Sequence, residues 1–326
     1  MWSVLFHATN TTVSLRILQR LLTRFVSTPI AAALARYRPL VVVVLHPLLA
    51  TPAVAARRVS STRPPLMTVV TDLGTAHRSW WHPAMEHVVM ATADLSQQGG
   101  GLAGIAPDRC SVLGIPVREQ FRRGLADPDA RAALRASLGL DPDHFVVLVT
   151  AGAEGGRGVK AWTRAIITGA ADVDVVAVCG RNGRLRGHLE RLAARSRGRL
   201  IVTGFVENMA DWLRSADVLA TKAGPGIIAE ATSCGVPMLL AGHLPGQKVG
   251  NTEIVVRAGA GRSVRGGRQL TAQIEYLHSN PASLGRMRAA AVRLGRPAAA
   301  AEIADLLAKQ ARIHARQTTG SSRRSD

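Results

Sequence analysis

From residue 40 onward the chain alternates short, almost continuously apolar runs with stretches whose apolar residues recur at helical spacing. Nine runs read as strands: Leu40–Leu45, Leu66–Thr71, Val88–Ala91, Arg109–Leu113, Phe145–Thr150, Val173–Cys179, Leu200–Thr203, Val218–Thr221 and Pro237–Leu240. A strand without polar alternation is buried on both faces, as in a parallel sheet covered by helices. Regular strand–helix alternation therefore predicts an α/β chain of two doubly wound, Rossmann-like parallel-sheet domains. The rhythm breaks around Arg118–His144, where Pro128, Gly139 and Pro142 punctuate a short helix. The expected organisation is a first domain over residues 1–125, a linker region over 126–144, a second domain over 145–310 and a disordered basic tail over 311–326. The first domain reads as incomplete. It opens on a helix and offers four strands, whereas a doubly wound domain ordinarily opens on a strand and a turn.

Charge sharpens the picture of that opening helix. The 326 residues contain 41 Lys+Arg against 22 Asp+Glu, a formal charge of +19, and only four of the basic residues are Lys. Such an Arg skew, with abundant Ala and Gly, fits a GC-rich coding bias. The distribution says more than the total, because residues 1–71 hold eight Arg and no Asp or Glu. Arg16, Arg20 and Arg24 recur every four residues and so share one helix face, among Val13, Leu15, Ile17, Leu18, Leu21, Leu22 and Phe25. A cationic, apolar helix of this kind suits an anionic membrane surface; an ordinary packed helix with a solvated Arg stripe fits the same pattern. The longest uncharged stretch, Pro39–Ala56, contains three prolines and His46, which excludes it as a spanning helix. Residues 1–27 lack the order of regions that marks a signal peptide. Aromatic residues are scarce at 4% and no nucleic-acid-binding motif is present, so nucleic acid is not the expected partner. Cys110, Cys179 and Cys234 are too dispersed for a disulfide framework or a zinc site.

The strongest local motif is Thr221-Lys222-Ala223-Gly224-Pro225-Gly226, followed by a helical run containing Glu230. A strand ends, glycines admit a ligand close to the backbone, and a helix begins with unpaired N–H groups at its positive end. That arrangement suits a diphosphate, and Glu230, one turn in, suits a ribose hydroxyl pair. Further polar or glycine-rich turns follow the strands around it: Gly152–Gly158, Gly180–Gly183, Gly204–Glu207 and Gly246–Asn251. In an open parallel sheet these loops collect at the carboxyl edge, where ligands bind. One such turn is a common structural feature; five on one edge point to a nucleotide.

These segments also carry a family resemblance. Cys179-Gly-Arg-Asn, Thr203-Gly-Phe-Val, Asp217 with Thr221-Lys-Ala-Gly-Pro-Gly and Ala229-Glu-Ala, and Gly246-Gln with Asn251 resemble monogalactosyldiacylglycerol synthases. That is a family of GT-B glycosyltransferases related to the enzyme of peptidoglycan precursor glycosylation. His46-Pro47-Leu48, the loop Thr71-Asp72 through Thr75, His77, Trp80 and His82, and Gly114-Ile-Pro-Val extend the likeness over roughly residues 30–280. The resemblance implies a GT-B fold and inverting transfer of galactose or glucose from a UDP-sugar to diacylglycerol, at the cytoplasmic face of a membrane. Transfer of N-acetylglucosamine to a polyprenyl-linked acceptor is the alternative chemistry, and an inactive nucleotide-sugar-binding remnant the alternative fate. It further implies that Phe205 and Val206 hold the uracil, Gly224, Pro225 and Gly226 the diphosphate, Glu230 the ribose, and Gln247, Lys248 and Asn251 the sugar end. Gly152, Gly155, Arg181 and Asn182 join the donor set from the neighbouring turns. No cofactor or metal is implied, since helix N–H groups and basic side chains stabilise the departing UDP and no Asp-x-Asp pair occurs.

Inverting transfer requires a base for the acceptor's proton, and His46, Asp72, His77 and His82 are the candidates. Each also fits a structural role: Asp72 as a turn cap, His46 in a core, His82 as an exposed loop residue. Three features depart from the family pattern. The sequence shows no opening strand with a Gly-Gly-Gly-His turn, whose histidine is a favoured base in the family. Lys248 stands where a Glu is common, which exchanges an acceptor for a donor. Gly99-Gly100-Gly101 interrupts a helix the family keeps continuous.

Overall fold

The computed structural model describes residues 12–95, 97, 104–122, 127–156, 158–170, 172–196, 200–241 and 248–322. The chain forms two compact units. The first comprises Met1–Pro116, Pro245–Gly250 and Ala298–Asp326; the second comprises Val117–Leu244 and Asn251–Pro297.

The first unit opens on helix α1 (Thr12–Tyr37) and continues through β1 (Val42–Val44), α2 (Ala50–Val59), β2 (Leu66–Val69), β3 (His87–Met90) and β4 (Cys110–Val112). Its four strands are all parallel, in the order β1-β2-β3-β4. Every residue of β2 and β3 is buried, the polar Thr68 and His87 included. Helix α1 packs on α2 yet leaves Ile17, Leu21 and Phe25 largely in solvent, with Phe25 72% exposed. Arg16, Arg20 and Arg24 are exposed beside them, so a cationic ridge and an apolar ridge run side by side along this helix. Among the described residues no helix is long and apolar enough to cross a membrane.

The second unit contains α3 (Pro128–Ser137), β5 (Phe145–Thr150), α4 (Val159–Gly169), β6 (Val173–Val178), α5 (Gly183–Ala193), β7 (Leu200–Thr203) and α6 (Met209–Ser215). It continues through β8 (Val218–Thr221), α7 (Pro225–Ser233), β9 (Met238–Ala241), α8 (Lys248–Arg257, counted here from Asn251 on), β10 (Gly261–Val264), α9 (Gly267–His278) and α10 (Pro281–Leu294). The six strands are parallel in the order β10-β9-β8-β5-β6-β7. The chain moves outward from β5 to β7 and then returns to β8 on the other flank of β5. That reversal makes the β5–β8 junction the topological switch point, where an open α/β sheet parts to admit a ligand. Val147, Val149, Val175, Val218 and Leu239 form the sheet side of the core, and Trp162, Ile166, Leu270, Ile274 and Met287 cover it from the helices.

All nine strands read from the sequence are present, with ends displaced by at most a few residues. The tenth, β10, was not legible: it is a short edge strand whose Arg262 and Ser263 break the apolar run. The region 126–144, read as a linker region with a short helix, belongs with the second unit from residue 127 on. It contains α3, with Asp127 capping the helix by accepting the Ala130 N–H. Residues 311–322 do not form a disordered tail. They complete the helix α11 (Ala299–Ser322), a segment rich in good helix formers. Ile303, Leu306 and Leu307 of α11 pack on Val69 and Val89, which places this helix with the first sheet rather than the second. Gly99-Gly100-Gly101 lie outside the described residues.

The second unit is pinned at one buried carboxylate. Asp217, at the entry to β8, accepts from Arg131 (2.9 Å) and Arg288 (2.6 Å) on Oδ1, and from Arg135 (2.6 Å) and the Val146 N–H (2.8 Å) on Oδ2. Arg135 further donates to the carbonyls of Ser215, Pro142 and His144, which spreads its charge over backbone dipoles. Burial alone would raise the Asp217 pKa, but the three guanidinium groups and the Val146 N–H outweigh it and hold the carboxyl below its ordinary value of 3.8. Asp217→Asn leaves buried cations uncompensated, and the expected loss is about 3–5 kcal/mol in denaturant unfolding at neutral pH. A depressed native pKa means that the contribution is complete above the unfolded value and is lost as pH falls through the native one. The variant's deficit should therefore shrink only below about pH 4. A deficit that already fades between pH 7 and 5 would contradict the assignment.

Candidate functional site

The carboxyl ends of β5, β6, β7 and β8 surround a cavity of about 260 Å³ wholly within the second unit. Thr150, at the end of β5, lines it with Gly152 and Ala153 of the turn that follows, and Val178, at the end of β6, with Gly180 of the next turn. Phe205, Val206 and Met209 contribute from the segment after β7; Gly226, Ile227 and Glu230 do so from α7. Arg118 completes the lining.

Close backbone packing shapes the wall between β5 and β6. Gly155 and Gly180 both have positive φ (58° and 59°), and a Cβ on either would collide with a carbonyl oxygen of the opposite turn, that of Cys179 or Ala153. The Arg181 N–H donates to Ala153 O (2.7 Å) and Asn182 Nδ2 to Gly155 O (3.2 Å). Asn182 also caps α5 by accepting the Leu185 N–H. Gly155 and Asn182, expected at the ligand, instead stitch these two turns together and do not line the cavity. Gly224 and Pro225 likewise start α7, as cap and first residue, while Gly226 faces the cavity. A Cβ on Gly226 would meet no described atom within 4 Å other than those of its chain neighbours and its own helix backbone. The space a side chain there would fill is therefore available to a ligand. Asn251 is buried and donates to Ala223 O (3.1 Å), supporting the turn that leads into α7. Gln247 and the side chain of Lys248 lie outside the described residues.

Two side chains set the character of the cavity. Phe205 is half-exposed and offers a flat apolar surface, with the Arg181 guanidinium 4.4 Å above its ring centroid. Arg181 in turn pairs with Glu154 at 3.1 Å. Glu230 is half-buried, and burial raises its pKa against the opposing charge of Arg118. Arg118 was not among the residues expected here. The signal that could have found it is its place immediately after Gly114-Ile-Pro-Val, where the chain enters the second unit.

The candidate bases belong to the first unit. His46 follows β1 and Asp72 follows β2, adjacent parallel strands, and the short helical turns Pro47–Leu49 and Arg78–Trp80 pack against each other. Asp72 is buried and accepts from Trp80 Nε1 at 2.7 Å. All three histidines turn Nδ1 back on their own backbone: His46 accepts from Leu48 N (3.3 Å), His77 from Ser79 N (3.2 Å) and His82 from Ala84 N (3.1 Å). A ring whose Nδ1 accepts an N–H carries its proton on Nε2 when neutral. Each ring, as placed, is a turn cap rather than a vacant base. Burial lowers the pKa of His77; burial and the charges of Arg58 and Arg57 lower that of His82. Of the four groups Asp72 is the one whose ionised form only accepts.

A cavity at the carboxyl edge of a doubly wound sheet, with a flat apolar wall, a half-buried carboxylate and a helix N-terminus, in a chain whose other unit is also built on a parallel sheet, fits the GT-B class. Solved structures agree on the fold: MurG from Acinetobacter baumannii is 14% identical with a TM-score of 0.60, covering 87% of this chain and 77% of that one. Anabaena Alr3699/HepE, determined in complex with UDP, is 17% identical with a TM-score of 0.57, covering 87% and 82%. Residues 1–117 match the family described as monogalactosyldiacylglycerol (MGDG) synthase, and residues 146–307 match the glycosyltransferase family 28 C-terminal domain. The chain belongs to the monogalactosyldiacylglycerol synthase family. It is 32% identical over 313 residues to a rice (Oryza sativa subsp. japonica) protein named "Probable monogalactosyldiacylglycerol synthase 2, chloroplastic", covering 93% of this chain and 66% of that one. With monogalactosyldiacylglycerol synthase 1, chloroplastic, of Arabidopsis thaliana it is 31% identical over 290 residues, covering 86% and 53%. The chain thus spans between 53% and 66% of the length of these relatives.

Glu230 yields a test that needs no sugar donor. A carboxylate accepts from both hydroxyls of a ribose, and protonation turns one of its oxygens into a donor and weakens the other as an acceptor. Because its pKa is raised, uridine affinity should fall, by about tenfold, as pH drops through that value. Glu230→Gln should bind uridine weakly at all pH values and show no such dependence. Uridine keeps phosphate titration out of the measurement; a wild-type affinity that is flat with pH would contradict the role.

Proposed function

We propose that this chain transfers a hexose from a UDP-sugar to diacylglycerol with inversion, working as a peripheral protein on the membrane face that meets the UDP-sugar pool, the cytoplasmic one. The observation that carries this reading is the cavity at the switch point of the second unit. Phe205 and Val206 suit a flat base, Glu230 a ribose, and the Gly226 edge of α7 a diphosphate. Family membership supplies the substrate class. Galactose or glucose is the donated sugar.

In the proposed reaction the acceptor's hydroxyl oxygen bonds to the anomeric carbon while the carbon–oxygen bond to the diphosphate breaks. UDP leaves with the bond's electron pair, and the hydroxyl proton passes to a base. Asp72 is the group best suited to take it, because Trp80 Nε1 fixes one carboxylate oxygen and the three histidines have Nδ1 engaged. His77 and His82 then serve to shape the loop that holds Asp72. The acceptor side supports a lipid substrate in a second respect: the exposed ridges Arg16, Arg20, Arg24 and Ile17, Leu21, Phe25 suit an interface helix on an anionic surface.

The decisive assay offers purified protein radiolabelled UDP-galactose or UDP-glucose with diacylglycerol in vesicles and follows glycolipid formation. Asp72→Asn should lower turnover by about 10²–10⁴-fold while UDP affinity stays unchanged; full turnover in that variant would remove Asp72 as the base. For the membrane helix, sedimentation with vesicles should show binding to anionic bilayers well above binding to neutral ones. Replacing Arg16, Arg20 and Arg24 by Gln should weaken anionic binding by at least about tenfold, given roughly 1 kcal/mol per basic residue at such a surface. Equal partitioning to both lipid types would leave the Arg ridge a plain solvated face.

A further inference from the structure

Lys222 is one of four lysines in a chain that otherwise relies on Arg for its positive charge. It lies between the end of β8 and the start of α7, on the β8 side of the switch point. Its side chain crosses that junction. Nζ lies 3.6 Å from the position a Cβ would take on Gly152, and 3.6 Å from that of Gly156, both in the turn after β5. Two residues without side chains thus leave the room in which the ammonium rests. Gly152 lines the cavity, and so does Gly226, four residues beyond Lys222.

Among the described residues Lys222 has neither an ion-pair partner nor a hydrogen bond, and the carboxylate of the adjoining turn, Glu154, is paired with Arg181. A half-buried cation held over bare backbone, without a counter-ion, is a site prepared for an incoming anion. Lysine suits this better than arginine in shape. Its compact charge fits between two glycine backbones, and three rotatable donors follow phosphate oxygens without demanding a planar partner.

We propose that Lys222 is the cation of the donor site, binding the diphosphate of the nucleotide sugar where the Gly152–Gly156 turn meets the first turn of α7. This inference rests on the donor-site reading above and adds to it the residue that supplies the positive charge. Arg118 and Arg181 lie elsewhere in that arrangement: Arg118 acts on Glu230, and Arg181 stacks on Phe205.

The test compares ligands that share a nucleoside but differ in phosphate. Calorimetry with UDP, and ligand-observed NMR with uridine, are run on the wild-type chain, Lys222→Gln and Lys222→Arg, with thermal unfolding of each. Lys222→Gln should weaken UDP by at least about tenfold, the scale of one charge-assisted contact, and leave uridine within about twofold at an unchanged melting temperature. Lys222→Arg should recover part of the UDP affinity. Unchanged UDP affinity in Lys222→Gln would overturn the proposal. So would a proportional loss of UDP and uridine, which would make Lys222 a support of the turn. A wild-type chain that binds neither ligand would overturn the donor-site reading itself, and this inference with it.

Discussion

The Asp217 carboxylate and its three arginines are the constraint on which the second unit depends. One buried anion joins α3, the first residues of β5, the entry of β8 and helix α10 through side chains that cannot be rearranged without leaving a charge unpaired. Its backbone takes part as well, since the Asp217 N–H donates to Val146 O while the Val146 N–H donates to the side chain. Strands β5 and β8 are thereby held in register at their amino ends. Their carboxyl ends, four to six residues on, deliver Gly152 from one side of the switch point and Lys222 and Gly226 from the other. The geometry of the candidate site is set at the opposite edge of the sheet.

Above that anchor, the apolar runs of the strands fill the interior and the glycines decide what can approach the edge. Gly155 and Gly180 let two turns touch backbone to backbone, which closes one wall of the cavity. Gly226 performs a different task, leaving space that no protein atom occupies. The distinction matters because both kinds of glycine look alike in a sequence. One is required by the protein's own packing, whereas the other borders open space at the helix terminus.

The large positive charge resolves into several separate tasks rather than one surface. Arg131, Arg135 and Arg288 are consumed by Asp217, Arg181 by Phe205 and Glu154, and Arg57 by Glu86. The ridge on α1 remains exposed beside apolar side chains, and Lys222 remains over the glycine turn. Read as a net figure, +19 suggests a polyanion; read residue by residue, five of the 41 basic side chains are already committed to these contacts. The histidines teach the same lesson in another form. His77 and His82 have the residue type of a base and lie in the loop that the family resemblance assigns to the acceptor side, yet hydrogen bonds two residues away commit their Nδ1 atoms to the backbone.

The amino-acid sequence alone determined the fold class, nine of the ten strands and the family, because buried parallel strands must be apolar throughout and because phosphate-binding turns must be rich in glycine. It could not show β10, whose edge position demands no apolar run, nor that residues 299–322 form one helix packed on the first sheet, which depends on contacts more than two hundred residues apart. It singled out the turns that border the cavity, but not which of their members face it. Gly152, Phe205, Val206, Gly226 and Glu230 line the cavity, whereas Gly155, Asn182, Gly224 and Asn251 hold the lining in place. Arg118 and the location of the Lys222 ammonium emerged only from the tertiary structure. A motif fixes residue types and spacing along one segment, whereas a binding site is made where segments from different strands meet, and only the folded sheet decides which atoms share that space.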